Sequence, residues 1–157
     1  AVPPIYSTDA AFRIGGATVL RWSPDDDVTL IATGIMVSKA LAAAERLGAK
    51  GVRARVIDAY SLKPIDREAI VTAARETGAI VTAEDHSIIG GLGSAVAEVL
   101  GEEWPAPLER IGLKDTFGES GDPEELFTIY EMNTEHIVAA ALRVISRKGA
   151  SRTLARG

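Results

Sequence analysis

"TAEDHSIIGGLGSAVAEVL", Thr82 to Leu100, is the stretch whose reading decides the fold. A short apolar run ends in the polar cluster Glu84, Asp85 and His86. Three glycines follow at Gly90, Gly91 and Gly93. Beyond them Leu92, Val96 and Val99, with Ala95 and Leu100, recur at helical spacing. A strand feeding a glycine loop and then an amphipathic helix is one half of a βα crossover unit.

The same unit recurs on both sides. "VTLIATG", Val28 to Gly34, is a continuous run rich in β-branched residues, the pattern of a strand buried on both faces. Met36, Val37, Ala40, Leu41, Ala44 and Leu47 then form one helical stripe that stops near Gly48. "VRARVIDAY" (Val52 to Tyr60) predicts the next strand, and Asp66 caps a predicted helix from Arg67 to Thr77. Ala79 to Asp85 is strand, and Ala106 to Leu113 is a fifth strand candidate besides the short Ala17 to Trp22. "EELFTIY" starts a helix after Pro123, and Thr134 is expected to cap the last helix, with its stripe of Ile137, Val138, Ala141, Leu142 and Ile145. Strands alternating with helices over short loops predict a single three-layer α/β domain. About five strands form a mostly parallel, doubly wound sheet with helices on both faces.

In such a sheet, ligands bind beyond the carboxyl ends of the strands. Glu84, Asp85 and His86 stand there, and a helix starting near Gly91 aims free N–H groups at any anion present. The glycines nevertheless fit no phosphate motif. A dinucleotide fingerprint needs glycine or alanine where Val96 stands, and no lysine follows as a P-loop requires. The crest, Ile88 and Ile89, is apolar. Three readings of Glu84, His86, Ile88, Ile89, Gly90, Gly91 and Gly93 therefore stand side by side: a tight turn, an anion contact and a subunit contact. His86 is of the residue type that most often serves as a general acid or base. Strict alternation along an extended chain lets Glu84, and not Asp85, share its face. His136 reads as surface, and Asp25 to Asp27 as a solvated charge run. From the residues alone, no catalytic, cofactor-binding or metal-binding set is assigned.

Composition narrows the classes further. The 157 residues hold no cysteine, which excludes a disulfide or thiolate site and fits a reducing cytoplasm. A net charge of −5 argues against nucleic acid as partner. No apolar run is long enough to span a membrane. Residues 1–16, with Pro3 and Pro4, read as a linker arriving from another domain, which suggests a piece of a longer polypeptide. Residues 17–147 form the domain, and residues 148–157, with Lys148, Arg152 and Arg156, read as a basic flexible tail.

Four blocks together resemble one family: "DVTLIATGIMVSKALAAAERL" (Asp27 to Leu47), "VIDAYSLKPID" (Val56 to Asp66), "IVTAEDHSIIGGLGSAVAEVL" (Ile80 to Leu100) and "DTFGESGDPEELFTIYEMNTEHIV" (Asp115 to Val138). In this order and spacing they are similar to the C-terminal domain of transketolase, in the short, split bacterial and archaeal form. The lead-in resembles the linker from a preceding pyrimidine-binding domain. Related C-terminal domains occur in deoxyxylulose-phosphate synthases, which carry a histidine-glycine pair missing from this chain, and in the more divergent beta subunits of 2-oxo acid dehydrogenases.

The resemblance implies an enzyme that moves a two-carbon ketol unit between sugar phosphates of the pentose phosphate pathway. It further implies thiamine diphosphate with Mg2+ (or Ca2+), bound by the other domains across a homodimer interface. On that reading this chain carries no catalytic or cofactor residue, and supports assembly with the remaining transketolase domains or subunit. "IIGGLG" is then a tight turn whose apolar crest packs on a neighbouring domain or subunit.

Overall fold

The computed structural model describes the backbone of residues 4–154 and the side chains of residues 4–148. The elements are β1 (Thr18–Arg21), β2 (Val28–Ala32), α1 (Met36–Gly48), β3 (Ala54–Asp58), α2 (Arg67–Thr77), β4 (Ile80–Ser87), α3 (Leu92–Glu102), β5 (Leu108–Leu113), α4 (Pro123–Ile129) and α5 (Thr134–Leu154). The sheet runs β1-β3-β2-β4-β5, with β1 antiparallel to β3 and every other pair parallel. Each parallel pair needs a helical crossover. α1 carries the chain from β2 to β3, α2 carries it back over β2 to β4, and α3 leads to β5. The winding therefore reverses between β2 and β4, where doubly wound sheets open a crevice.

Burial follows this topology. All five residues of β2 are buried because helices cover both faces of the central strand, so its sequence shows no polar alternation. On one face α1 and α5 pack Met36, Leu47, Ile137 and Val144 against Leu30, Val56 and Val81. On the other, α2 and α3 pack Ile70, Ala74, Leu92 and Val96 against Ile31, Ile57 and Ile80. Each Leu, Ile, Val or Met among them removed from water contributes roughly 1.5 to 3 kcal/mol. β1 is an edge strand, and its Val19 and Arg21 face outward.

The helix caps follow local chemistry. Asp66 accepts from Ala69 N at 3.0 Å, and Gly78 closes α2 at φ 66°, a left-handed conformation that glycine adopts without strain. Thr134, the expected cap of the last helix, is instead its first helical residue. Asn133 holds the cap, its Oδ1 accepting from His136 N at 3.2 Å. β1, β2 and β5 are each two residues shorter than their predicted runs and β3 is four shorter, the pairing ending before the run does. β4 is the exception and extends to Ser87.

The "DDD" turn is not a solvated run. Asp26 is buried, its carboxylate accepting from Ser23 N at 2.8 Å and lying 3.5 Å from Arg55 Nε. Arg55 is buried too, and reaches Glu76 at 2.6 Å, tying β3 to the end of α2. Asp27 accepts from Arg53 N at 2.9 Å.

The lead-in lies along the domain. Tyr6, Phe12 and Tyr60 stack edge to face with centroids 4.9 Å apart, and Ala17 N donates to Asp66 at 3.1 Å. Lys148, the expected start of the tail, lies on α5, and its ammonium donates to the carbonyls of Asp27 and Thr77 at 2.8 and 2.9 Å. The side chains of the rest of that segment lie outside the described residues.

Candidate functional site

The strand-end cluster is organised by Glu84. Its carboxylate is fully buried. Oε2 accepts from Leu92 N and Oε1 from Gly93 N, each at 2.8 Å. These are the first N–H groups of α3, the donors a helix start offers to an anion. The helix dipole adds to the attraction, so the buried carboxylate is held by two charge-assisted hydrogen bonds. The anion at this helix start is the chain's own.

The glycines follow from that arrangement. A Cβ on Gly91 would lie 1.9 Å from Glu84 Oε2 and 2.7 Å from Ser87 O. On Gly93 it would meet Arg110 Cδ at 2.8 Å, and Gly90 turns the chain at φ +78°. Gly112 on β5 is equally constrained, since a Cβ there would lie 2.8 Å from His86 O and 2.9 Å from the Ile88 side chain. Gly112 completes the loop's support together with Arg110, whose Nη1 donates to Ile88 O at 3.0 Å. Sequence reasoning singles out neither residue. Their one signal is position, on the strand predicted beside the loop.

Glu84 and His86 do not share a face. Ala83 pairs with Ile111 and Ser87 with Leu113, so four steps along β4 match two along β5. This irregularity breaks the alternation between them. Glu84 turns inward under α3, while His86 is 68% exposed and its Nδ1 lies 3.2 Å from Asp85 Oδ1. Asp85 lies close to Gly34, at the reversal between β2 and β4. The crest divides: Ile88 is half-buried against Gly112, and Ile89 is 62% exposed. His136 is part-buried, its Nδ1 2.6 Å from Asn133 Oδ1, rather than free on the surface.

A second polar pair lies at the end of β3. Tyr6 donates its hydroxyl to Asp58 Oδ2 at 2.7 Å. Burial pushes the Asp58 carboxyl above the usual carboxylate range, against the pull of that hydrogen bond. Burial and then the Asp58 contact push the Tyr6 phenol up to about 12. The pair fastens the lead-in to the end of β3.

These residues do not fit a diphosphate or its metal. The N–H groups of Leu92 and Gly93 are taken, and the space beside Gly91 is filled by a carboxylate that would repel a phosphate. Among the described residues no three His, Cys, Asp or Glu side chains gather as metal ligands. Among them, too, no helix is long and apolar enough to cross a membrane.

The fold is a doubly wound α/β domain whose glycine loop is filled by its own glutamate. The chain matches the family model described as "Transketolase, C-terminal domain" over residues 15–137, and it belongs to that family. It is 48% identical over 144 residues to the 6-deoxy-6-sulfo-D-fructose transketolase subunit SqwH of Clostridium sp. (strain MSTE9), covering 92% of this chain and 44% of the relative. It is 42% identical over 148 residues to an apulose-4-phosphate transketolase subunit of Phocaeicola vulgatus, covering 94% and 46%. Among solved structures, one described as a split gene transketolase, inactive beta4 tetramer, superposes with a TM-score of 0.89 at 52% identity. That match covers 94% of this chain and 48% of the other. The chain thus spans about half the length of the relatives it matches.

Proposed function

We propose that this chain is the C-terminal, non-catalytic domain of a split-type transketolase subunit, and that it supports assembly of an enzyme transferring two-carbon ketol units between sugar phosphates. The observation that carries the reading is the family match across 15–137. The relatives named as transketolase subunits and the internal satisfaction of Glu84 agree with it. In the parent enzyme, thiamine diphosphate with Mg2+ (or Ca2+) supplies the carbanion-stabilising chemistry, held by residues outside this chain. What this chain's residues do is structural: Glu84 fixes the glycine loop, and the Tyr6–Asp58 pair fixes the lead-in. The parent works as a homodimer in the cytoplasm, in the pentose phosphate pathway.

The test is ketol transfer by the remaining part of such a transketolase, with xylulose 5-phosphate and ribose 5-phosphate, with and without this chain. The reading expects this chain to be inert alone and to raise activity or its thermal persistence when added. Turnover by this chain alone would overturn it.

A further inference from the structure

Glu84 fills the glycine loop, but a second hollow at the same end of the sheet is open. A cavity of about 260 Å³ lies between the ends of β4 and β5 and the helix α4, with Leu113, Leu126, Phe127 and Met132 on its apolar wall. Asp85, also on the wall, lies close to Gly34, which puts the cavity beside the reversal between β2 and β4. Small molecules bind doubly wound sheets at that reversal, in mainly apolar hollows edged by a few polar groups. The polar edge is held in place. Tyr130, at the end of α4, donates its hydroxyl to Phe117 O at 3.3 Å and accepts from Glu119 N at 2.9 Å, so the loop carrying Glu119 is tied to the helix.

The charge around this cavity is one-sided. Its charged lining side chains are Asp85 and Glu119, both acids. Elsewhere on the surface Asp66, Glu109, Glu124 and Glu131 each face a lysine or an arginine. Asp85 has only His86 beside it, charged when protonated, and Glu119 makes no ion pair among the described residues. Lys39 lies over the Phe127 ring, 4.3 Å from its centroid, but its ammonium is already held by both Glu124 oxygens at 3.0 and 2.9 Å. We infer that this cavity binds a small organic cation, an ammonium group on a short apolar tail. The tail lies against Leu113, Leu126 and Phe127, and the ammonium sits between Asp85 and Glu119, with the Tyr130 ring adding cation–π attraction. An anion of the same shape meets two carboxylates, and a neutral molecule leaves both without a counter-charge. The site is separate from Glu84, which turns under α3, and it stands independently of ketol transfer.

Hexylammonium, 1-hexanol and hexanoate share a tail and differ in the charge of the head. Each is titrated into this chain at neutral pH, and amide NMR follows Asp85, Leu126 and Tyr130. The expected result is saturable shifts with hexylammonium in the roughly millimolar range, about tenfold tighter than 1-hexanol, and no saturation with hexanoate. Asp85→Asn combined with Glu119→Gln retains the shape of both side chains, which are exposed, and should bring hexylammonium down to the affinity of 1-hexanol. Absence of saturable shifts with hexylammonium overturns the inference, as does 1-hexanol or hexanoate binding equally well. Unchanged hexylammonium affinity in the double variant also overturns it, because the apolar wall then acts alone. Sodium chloride asks the same question without a substitution. It should weaken hexylammonium binding and leave 1-hexanol binding as it is. A hexylammonium affinity indifferent to salt contradicts the assignment.

Discussion

Glu84 Oε1 accepts a hydrogen bond from Gly93 N at 2.8 Å, across a loop whose glycines leave room for that carboxylate and for little else. The strand end and the helix start are thereby closed on each other. A sequence that resembles an anion site is one, already filled from within.

Glu84→Gln retains the shape but replaces one acceptor oxygen with a donor facing an N–H group. One hydrogen bond is lost and the charge on the helix dipole disappears. The expected loss is about 2 to 4 kcal/mol of stability, read as a lower midpoint in urea unfolding. An unchanged midpoint would show that the carboxylate contributes nothing.

Gly91→Ala places a methyl within 1.9 Å of Glu84 Oε2 and 2.7 Å of Ser87 O. Backbone cannot retreat as a flexible side chain does, so overpacking of roughly 1 to 3 kcal/mol is expected. Gly101→Ala, on α3 with open space around it, is the matched comparison. Calorimetric melting should separate the two, and equal melting temperatures would contradict the packing account.

How much of this is legible in the sequence depends on where each signal lies. The sheet, its helices and the buried central strand follow from local pattern, because β2 carries its apolar residues in one run and α1 carries them at helical spacing. The direction of Glu84 does not. It depends on an irregularity between Ala83 and Ser87 that exists only through pairing with β5, so alternation alone places Glu84 beside His86. The burial of Asp26 is hidden for the same reason, since its partner Arg55 lies in another strand. Gly112 is explained only by what approaches it from the loop.

Arg55→Ala removes the buried cation that Asp26 and Glu76 share. Leaving Asp26 buried without its partner should cost about 3 to 5 kcal/mol. Chemical denaturation measures the loss, and Asp26→Asn added to Arg55→Ala should recover part of it. No recovery would mean that the side-chain stem, not the charge, carries the effect.

Tyr6 gives a pH signature. Its folded-state pKa is raised from 10.0 to about 12, so its hydroxyl contributes stability that is fully present below pH 10 and is lost as the pH rises through 12. The difference in unfolding free energy between the wild-type chain and Tyr6→Phe should be level from neutral pH to pH 10, where Asp58 no longer titrates, and shrink above it. Asp58 is also raised, so its ionisation disfavours the folded state as the pH climbs above the usual carboxylate range. A wild-type to Tyr6→Phe difference that stays level through pH 12 would contradict the pairing.

The most direct test of the central claim is an amide NMR titration of this chain with thiamine diphosphate and Mg2+, watching Leu92 and Gly93. With Glu84 holding both N–H groups, their resonances should stay fixed to millimolar ligand. Saturable shifts at those two amides would mean that an outside anion displaces Glu84, and that the domain binds the cofactor after all.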